Sequence, residues 1–211
     1  MKTTAVALTA VAVTFTFVSC ENPADNSTEA KVSEAKEVQQ GEASGQKWSF
    51  VEGSSITFVG SKVTGSHDGG FKKFDGHFFV EGESLAASGH EVVIDMTSTW
   101  SDAEKLTGHL LAPDFFDVEQ YPNSTFTVTG LKAQTGAKGE THVLTGNLNF
   151  HGVTKSIDIP VKVTQGEDEI KLNADFFINR FDFNVKYPGK TDDLIREEVV
   201  IRFDLVAKPQ S

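Results

Sequence analysis

Eight stretches of this chain alternate apolar and polar residues with a period of two, and that repeat confines it to an all-β architecture. Ile56, Phe58 and Gly60 share one side of the first, with Thr57, Val59 and Ser61 on the other. Phe74, Gly76, Phe78 and Val80 oppose Asp75, His77, Phe79 and Glu81 in the second. Val92, Ile94 and Met96 line the third, Phe126 and Val128 the fourth, and Leu144, Gly146, Leu148 and Phe150 the fifth. Ile157, Ile159, Val161 and Val163 line the sixth. Ile170, Leu172, Ala174, Phe176 and Ile178 follow in the seventh, and Val199, Ile201, Phe203 and Leu205 in the last. Turn residues separate the stretches at Gly65 to Gly70, at 81–83, at 136–139, at His151-Gly152 and at 165–167. Links this short favour neighbouring antiparallel pairs. Closing eight strands removes both edges and leaves an interior that side chains fill or a ligand occupies. A two-sheet sandwich satisfies the same alternation.

One stretch breaks the pattern. Ser101 and Glu104 form a capping box, and Leu106, Leu110 and Leu111 then fall on one side of a helix. Pro113 ends it, Asp114-Phe115-Phe116-Asp117 reads as a compact turn, and Tyr121-Pro122 hands over to the next strand. A lone helical lid between strands favours a closed barrel with a covered opening.

The run HLLAPDFFDVEQYPNSTF resembles the signature segment of the YceI-like family. The likeness extends over most of Trp48 to Ala207. It includes Ser55-Ile56-Thr57-Phe58, Gly70 to Gly76, Leu148 to Lys155, Phe176 to Phe183 and the closing Asp192-Asp193-Leu194-Ile195. Asn184 departs from the pattern, standing where many relatives carry glycine directly after the phenylalanine. The resemblance implies an eight-stranded antiparallel lipocalin-like barrel with a short helical cap. It also implies a barrel that holds a polyisoprenoid or related long-chain lipid of the isoprenoid, quinone or fatty amide class. Inward parity then places that chain among Phe58, Phe74, Phe78, Ile94, Phe126, Leu148, Phe176 and Ile178, with Leu106, Leu110, Phe115 and Phe116 as the lid.

The chain is 211 residues long, which suits one domain, and its net charge of −11 argues against nucleic acid as a partner. Phenylalanine is abundant at 17 residues, with two each of Trp and Tyr. A Phe-rich interior suits an apolar ligand and suits a filled core equally. Gly60, Gly76 and Gly146 lie on the same faces as the large apolar residues. They either leave volume for a guest or mark bends in the strands.

The sole cysteine, Cys20, excludes an internal disulfide. Lys2, the apolar stretch Ala5 to Val18 and Phe17-Val18-Ser19-Cys20 resemble a lipoprotein leader whose cysteine is lipidated; an ordinary secretory leader is the alternative. Residues 1–19 are thus expected to be the leader and 20–47 a flexible tether, since Glu21 to Lys47 contains no Phe, Trp, Leu or Ile. The barrel occupies 48–211. The expected setting is the bacterial cell envelope, periplasm or surface, with the membrane as a partner through Cys20 and a homodimer conceivable.

Few groups invite chemistry. His67-Asp68, and His109 with Asp114 and Asp117, are the groupings open to a catalytic or metal reading. There is no His-x-His, HExxH or G-x-S-x-G, so neither an enzyme nor a cofactor is expected. An envelope enzyme using His67 and His109, or a structural protein with a filled barrel, are the alternatives. Arg180 continues the inward parity of Phe176 and Ile178, and Lys62 follows Gly60. Each is a candidate for a lipid head group or for a salt bridge to Asp182 or Asp193.

Overall fold

The computed structural model describes residues 21–39, 43–82, 84–191 and 193–210. The leader and Cys20 lie outside the described residues. A 3₁₀ turn (Pro23–Asn26) leads into β1 (Thr28–Glu29) and β2 (Lys31–Glu34). Then come β3 (Gln46–Phe50), β4 (Ser55–Lys62), β5 (Gly65–Phe71), β6 (Phe74–Glu81), β7 (Ser84–Leu85), β8 (Glu91–Asp95) and β9 (Thr99–Ser101). The helix α1 (Glu104–Leu111) precedes β10 (Asn123–Ala133), β11 (His142–Phe150), β12 (Val153–Gln165), β13 (Ile170–Asn179), β14 (Gly189–Lys190) and β15 (Asp193–Pro209).

The sheet closes on itself in the order β13–β12–β11–β10–β8–β6–β3–β15 and back to β13, an antiparallel barrel of eight staves. Register explains the alternation. Ala174, Phe176 and Ile178 face Phe203, Ile201 and Val199 across β13 and β15, while Asp175 faces Arg202 between them. All of the first set but Val199 join the core with Leu144, Ile157, Ile159 and Val161, and Val199 packs on the cluster at the helical end. On the outside, Arg202 Nε donates to Asp175 Oδ2 at 2.7 Å. A one-residue slip would exchange these sets, so burial fixes the pairing.

The long strand β15 carries β13 along one edge. Along its other edge lie β4 and then β3. β4, β5 and β9 prolong the staves begun by β3, β6 and β8 beyond short breaks, and β9 abuts α1. α1 and the turn after it cover that end of the barrel.

Three local expectations are corrected. Gly65 to Gly70 is not a turn but most of β5, paired with β4 from Thr57↔Gly70 to Lys62↔Gly65. Gly69 and Gly70 serve close packing: a Cβ on Gly69 would lie 2.3 Å from Phe58 Cζ, and one on Gly70 2.9 Å from Trp100 Nε1. The capping box does not form. The helix begins at Glu104 with Ala103 at the cap, and Ser101 bonds instead with Thr107 Oγ1 at 2.9 Å. The expected tether also does not hang free over its first half. Thr28–Glu29 pairs with β13, and Lys31–Glu34 pairs with β12. The reason is legible in TEAKVSE, where small Thr28, Ala30 and Val32 alternate with Glu29, Lys31 and Ser33. Ala30 is 2% exposed and belongs to the barrel core, so a strand can be buried here without a large side chain.

Asn184 takes a left-handed conformation (φ 60°) at the end of the 3₁₀ turn Arg180–Phe183. Asparagine is among the few non-glycine residues that enter this region readily, which accounts for its place in a glycine position.

Candidate functional site

The barrel encloses a cavity of about 360 Å³ running along its axis. Of the residues expected to line it, Phe58, Phe78, Ile94, Phe126, Leu148, Phe176 and Ile178 do so, as do Leu106, Leu110, Phe115 and Phe116. Phe74 does not; it pairs with Ile94 and packs against the core beside the cavity. Phe50, Phe71, Phe150 and Phe203 line the cavity without having been singled out. Alternation pointed to Phe150 and Phe203, whereas Phe50 and Phe71 sit at strand ends where parity gives no guidance.

Glycines shape this wall in two ways. A Cβ on Gly76 would lie 2.3 Å from Phe50 Cε2, and one on Gly146 2.4 Å from Phe126 Cζ. Those two positions therefore receive aromatic rings and leave no vacant volume. Gly60 differs: nothing lies within 4 Å of its Cβ position, and it lines the cavity.

The helical end is an aromatic plug. Phe58, Met96, Leu110, Phe115, Phe116 and Val185 form one buried cluster. Phe116 meets Phe58, Phe115 and Phe150 edge-on at centroid distances of 6.3, 5.2 and 5.6 Å. Each such pair adds about 0.5–1.5 kcal/mol beyond area burial, so this end is a cohesive unit.

Both candidate cations reach the cavity at this end, and both are engaged. Lys62 Nζ lies 3.0 Å from Asp193 Oδ2. The Thr64 hydroxyl, donating to Asp193 Oδ1 at 2.8 Å, and that ammonium hold the Asp193 carboxyl below its usual range. Arg180 does not continue the strand; it opens the 3₁₀ turn and is 3% exposed. Its Nε donates to Arg196 O at 3.0 Å, Nη1 to Val185 O at 2.6 Å and Nη2 to Ile195 O at 3.3 Å. Arg180 forms no salt bridge to Asp182 or Asp193; backbone carbonyls take that role. Burial lowers the guanidinium pKa, opposed by the field of Glu197.

The histidines are dispersed. His67 Nδ1 lies 2.8 Å from Asp102 Oδ1, and His109 Nε2 lies 3.0 Å from Asp114 Oδ2. The His109 ring packs on Tyr187 at 4.6 Å. Among the described residues, no three His, Cys, Asp or Glu side chains gather as a metal set would. His90, 3% exposed, was missed by sequence reasoning. Its Nδ1 accepts from Phe79 N–H at 3.1 Å, so Nε2 carries the proton and donates to Ala86 O at 2.8 Å. This neutral imidazole staples the 84–90 segment to β6, and burial lowers its pKa.

Residues 48–207, the stretch that builds this barrel, match the YceI-like domain. The chain belongs to the YceI-like family. A Pseudomonas putida UPF0312 protein is 33% identical over 139 residues, covering 63% of this chain and 71% of its own. The protein YceI of Escherichia coli is 34% identical over 124 residues, 56% of this chain and 63% of its own. Among solved structures, Burkholderia cenocepacia BcnA superposes with a TM-score of 0.64 at 26% identity, covering 74% of this chain and 97% of BcnA. A polyisoprenoid binding domain from Saccharophagus degradans, implicated in plant cell wall breakdown, superposes with a TM-score of 0.63. At 20% identity, over 77% of this chain and 98% of that one, it shows the shared fold.

Proposed function

We propose that this YceI-like protein holds a long-chain isoprenoid-like lipid inside its barrel, and so sequesters or carries it. The observation that carries the reading is the apolar cavity of about 360 Å³ closed at one end by an aromatic plug. A cavity of about 150 Å³ accommodates one six-carbon ring, so this one accommodates on the order of fifteen carbons, or about three isoprene units. At about 0.8 kcal/mol per CH₂, three units gain roughly 9–12 kcal/mol, comparable with the roughly 4–15 kcal/mol cost of association. A longer chain must protrude from the cavity. The Saccharophagus degradans domain of the same fold, named for polyisoprenoid binding, supports the choice of lipid.

Arg180 and Lys62 mark the end where a head-group oxygen would sit. Arg180 spends three bonds on carbonyls, and a guanidinium has five N–H donors, leaving a donor for an acceptor atom.

The proposal extends to the cell envelope, with Cys20 as a lipidated anchor. Two residues span at most about 7 Å. Asn22 caps the 3₁₀ turn whose Ala24 packs on outward-facing Val59 and Val200. An anchor at Cys20 would therefore hold the barrel wall against the bilayer rather than at a distance.

Native mass spectrometry of the protein purified from a bacterial host, followed by organic extraction, tests the reading. A co-purified long-chain lipid released on denaturation is the expected result. Protein that stays free of ligand after incubation with prenyl lipids would overturn the reading.

A further inference from the structure

The barrel wall has a seam. β12 and β13 pair with each other only from Lys162↔Asn173 to Gln165↔Ile170, and beyond that point they part. Residues 28–34 occupy the gap. β1 runs parallel to β13 at Thr28↔Phe176 and Glu29↔Phe177, and β2 runs antiparallel to β12 from Lys31↔Asp158 to Glu34↔Lys155. The segment thus crosses from one lip to the other, paired along each half of its length to one neighbour. An ordinary interior stave is paired on both edges throughout.

Its inward side is slight. Ala30 and Val32 pack against the core that includes Ile157, Phe176 and Ile178, and those three line the cavity. Opening the helical end would pull Leu110, Phe115 and Phe116 out of the aromatic plug. Withdrawing residues 28–34 exposes an alanine, a valine and a threonine. The polar fastenings of the segment lie at the surface: Glu34 Oε1 to Lys155 Nζ at 2.6 Å, and Ser27 Oγ donating to Asp175. Asn147 on β11 clasps the far end, accepting from Lys36 N–H at 2.9 Å and donating to Lys36 O at 2.7 Å. This stave lies outside residues 48–207, the stretch that matches the family domain.

We propose that residues 28–34 are a displaceable stave that gates the cavity sideways, so that an apolar chain enters and leaves through the β12–β13 seam while the helical plug stays shut. The gate rests on the lipid-holding reading.

Ser33 and Ser156 are cross-strand partners, and antiparallel partners lie within disulfide reach. The full chain carrying Cys20→Ser, Ser33→Cys and Ser156→Cys is loaded with dansyl-labelled farnesol, and uptake and release are followed by fluorescence. Oxidation is expected to slow both rates at least tenfold with little change in affinity, and reduction to restore them. Asn147→Ala, outside the cavity lining, is expected to speed both. Equal rates in the oxidised and reduced protein would overturn the gate. Hydrogen exchange gives a second reading that needs no ligand: amides of 28–34 should exchange at least a hundredfold faster than those of β15. Exchange as slow as in β15 would make the segment fixed wall and overturn the gate. Uptake of no probe by any variant would overturn the lipid-holding reading and the gate with it, whereas equal rates or slow exchange would overturn the gate alone.

Discussion

Gly60→Leu separates a ligand-holding barrel from a filled one. The Cβ position of Gly60 has no neighbour within 4 Å and faces the cavity, so a larger side chain meets space rather than protein. At about 25 Å³ per carbon, inferred from a six-carbon ring in about 150 Å³, the four leucine carbons take up about 100 Å³. Set against the 360 Å³ available, they displace about four carbons of ligand. At about 0.8 kcal/mol each that is about 3 kcal/mol, or ~200-fold in affinity. The fold should not suffer, because replacing a strand glycine recovers about 0.5–1 kcal/mol of backbone entropy. The assay is calorimetric titration with farnesol beside a thermal melt. Gly76→Ala is the control: its Cβ would lie 2.3 Å from Phe50 Cε2, an overpacking cost of about 1–3 kcal/mol. That should lower Tm by about 2–12 °C while leaving ligand volume nearly intact. A Gly60→Leu protein that keeps its melting temperature and loses less than about threefold in affinity would refute the reasoning, because the ligand would then lie elsewhere.

Other outcomes follow from single residues. Arg180→Leu strands three backbone carbonyls, and at about 1–3 kcal/mol for each buried group left unpaired a loss of about 3–9 kcal/mol is expected in urea unfolding. Arg180→Lys should recover only part of this, since an ammonium cannot span three acceptors. Phe116→Ala removes the centre of the aromatic plug and should cost about 3–5 kcal/mol in the same assay. His90 gives a pH dependence of definite sign. Its folded pKa is lowered from 6.5, so between the two values the unfolded chain binds more protons and stability falls as pH falls below 6.5. The slope for this one proton is at most ~1.4 kcal/mol per pH unit, and His90→Gln should flatten it in a urea series across pH 5 to 8.

Most of the barrel was legible because burial on one face imposes a period of two, and no other element reproduces that period over eight stretches. The lining residues at strand centres, Phe58, Phe126, Leu148, Phe176 and Ile178, were legible for the same reason. Two kinds of information were hidden. Gly69, Gly76 and Gly146 each face a phenylalanine from a neighbouring stave, and no periodicity along one strand reports what lies across from it. Residues 28–34 carry a strand pattern in small side chains, which hydrophobicity weighs lightly although Ala30 is only 2% exposed. Arg180 was placed on the right wall with the wrong partners, because acids near in sequence say nothing about carbonyls brought near by a turn.

The strand β15 sets an order on assembly. It follows every other stave in the chain, yet β13, β3 and β4 all pair with it. The register Phe203↔Ile56 joins residues about 150 apart in sequence, so loop closure over most of the domain precedes that contact. Synthesis therefore cannot complete the barrel stave by stave; until β15 is available, the edges of β3, β4 and β13 wait unpaired. Such a chain stays threadable while it is being made and acquires its hydrophobic interior in one late step.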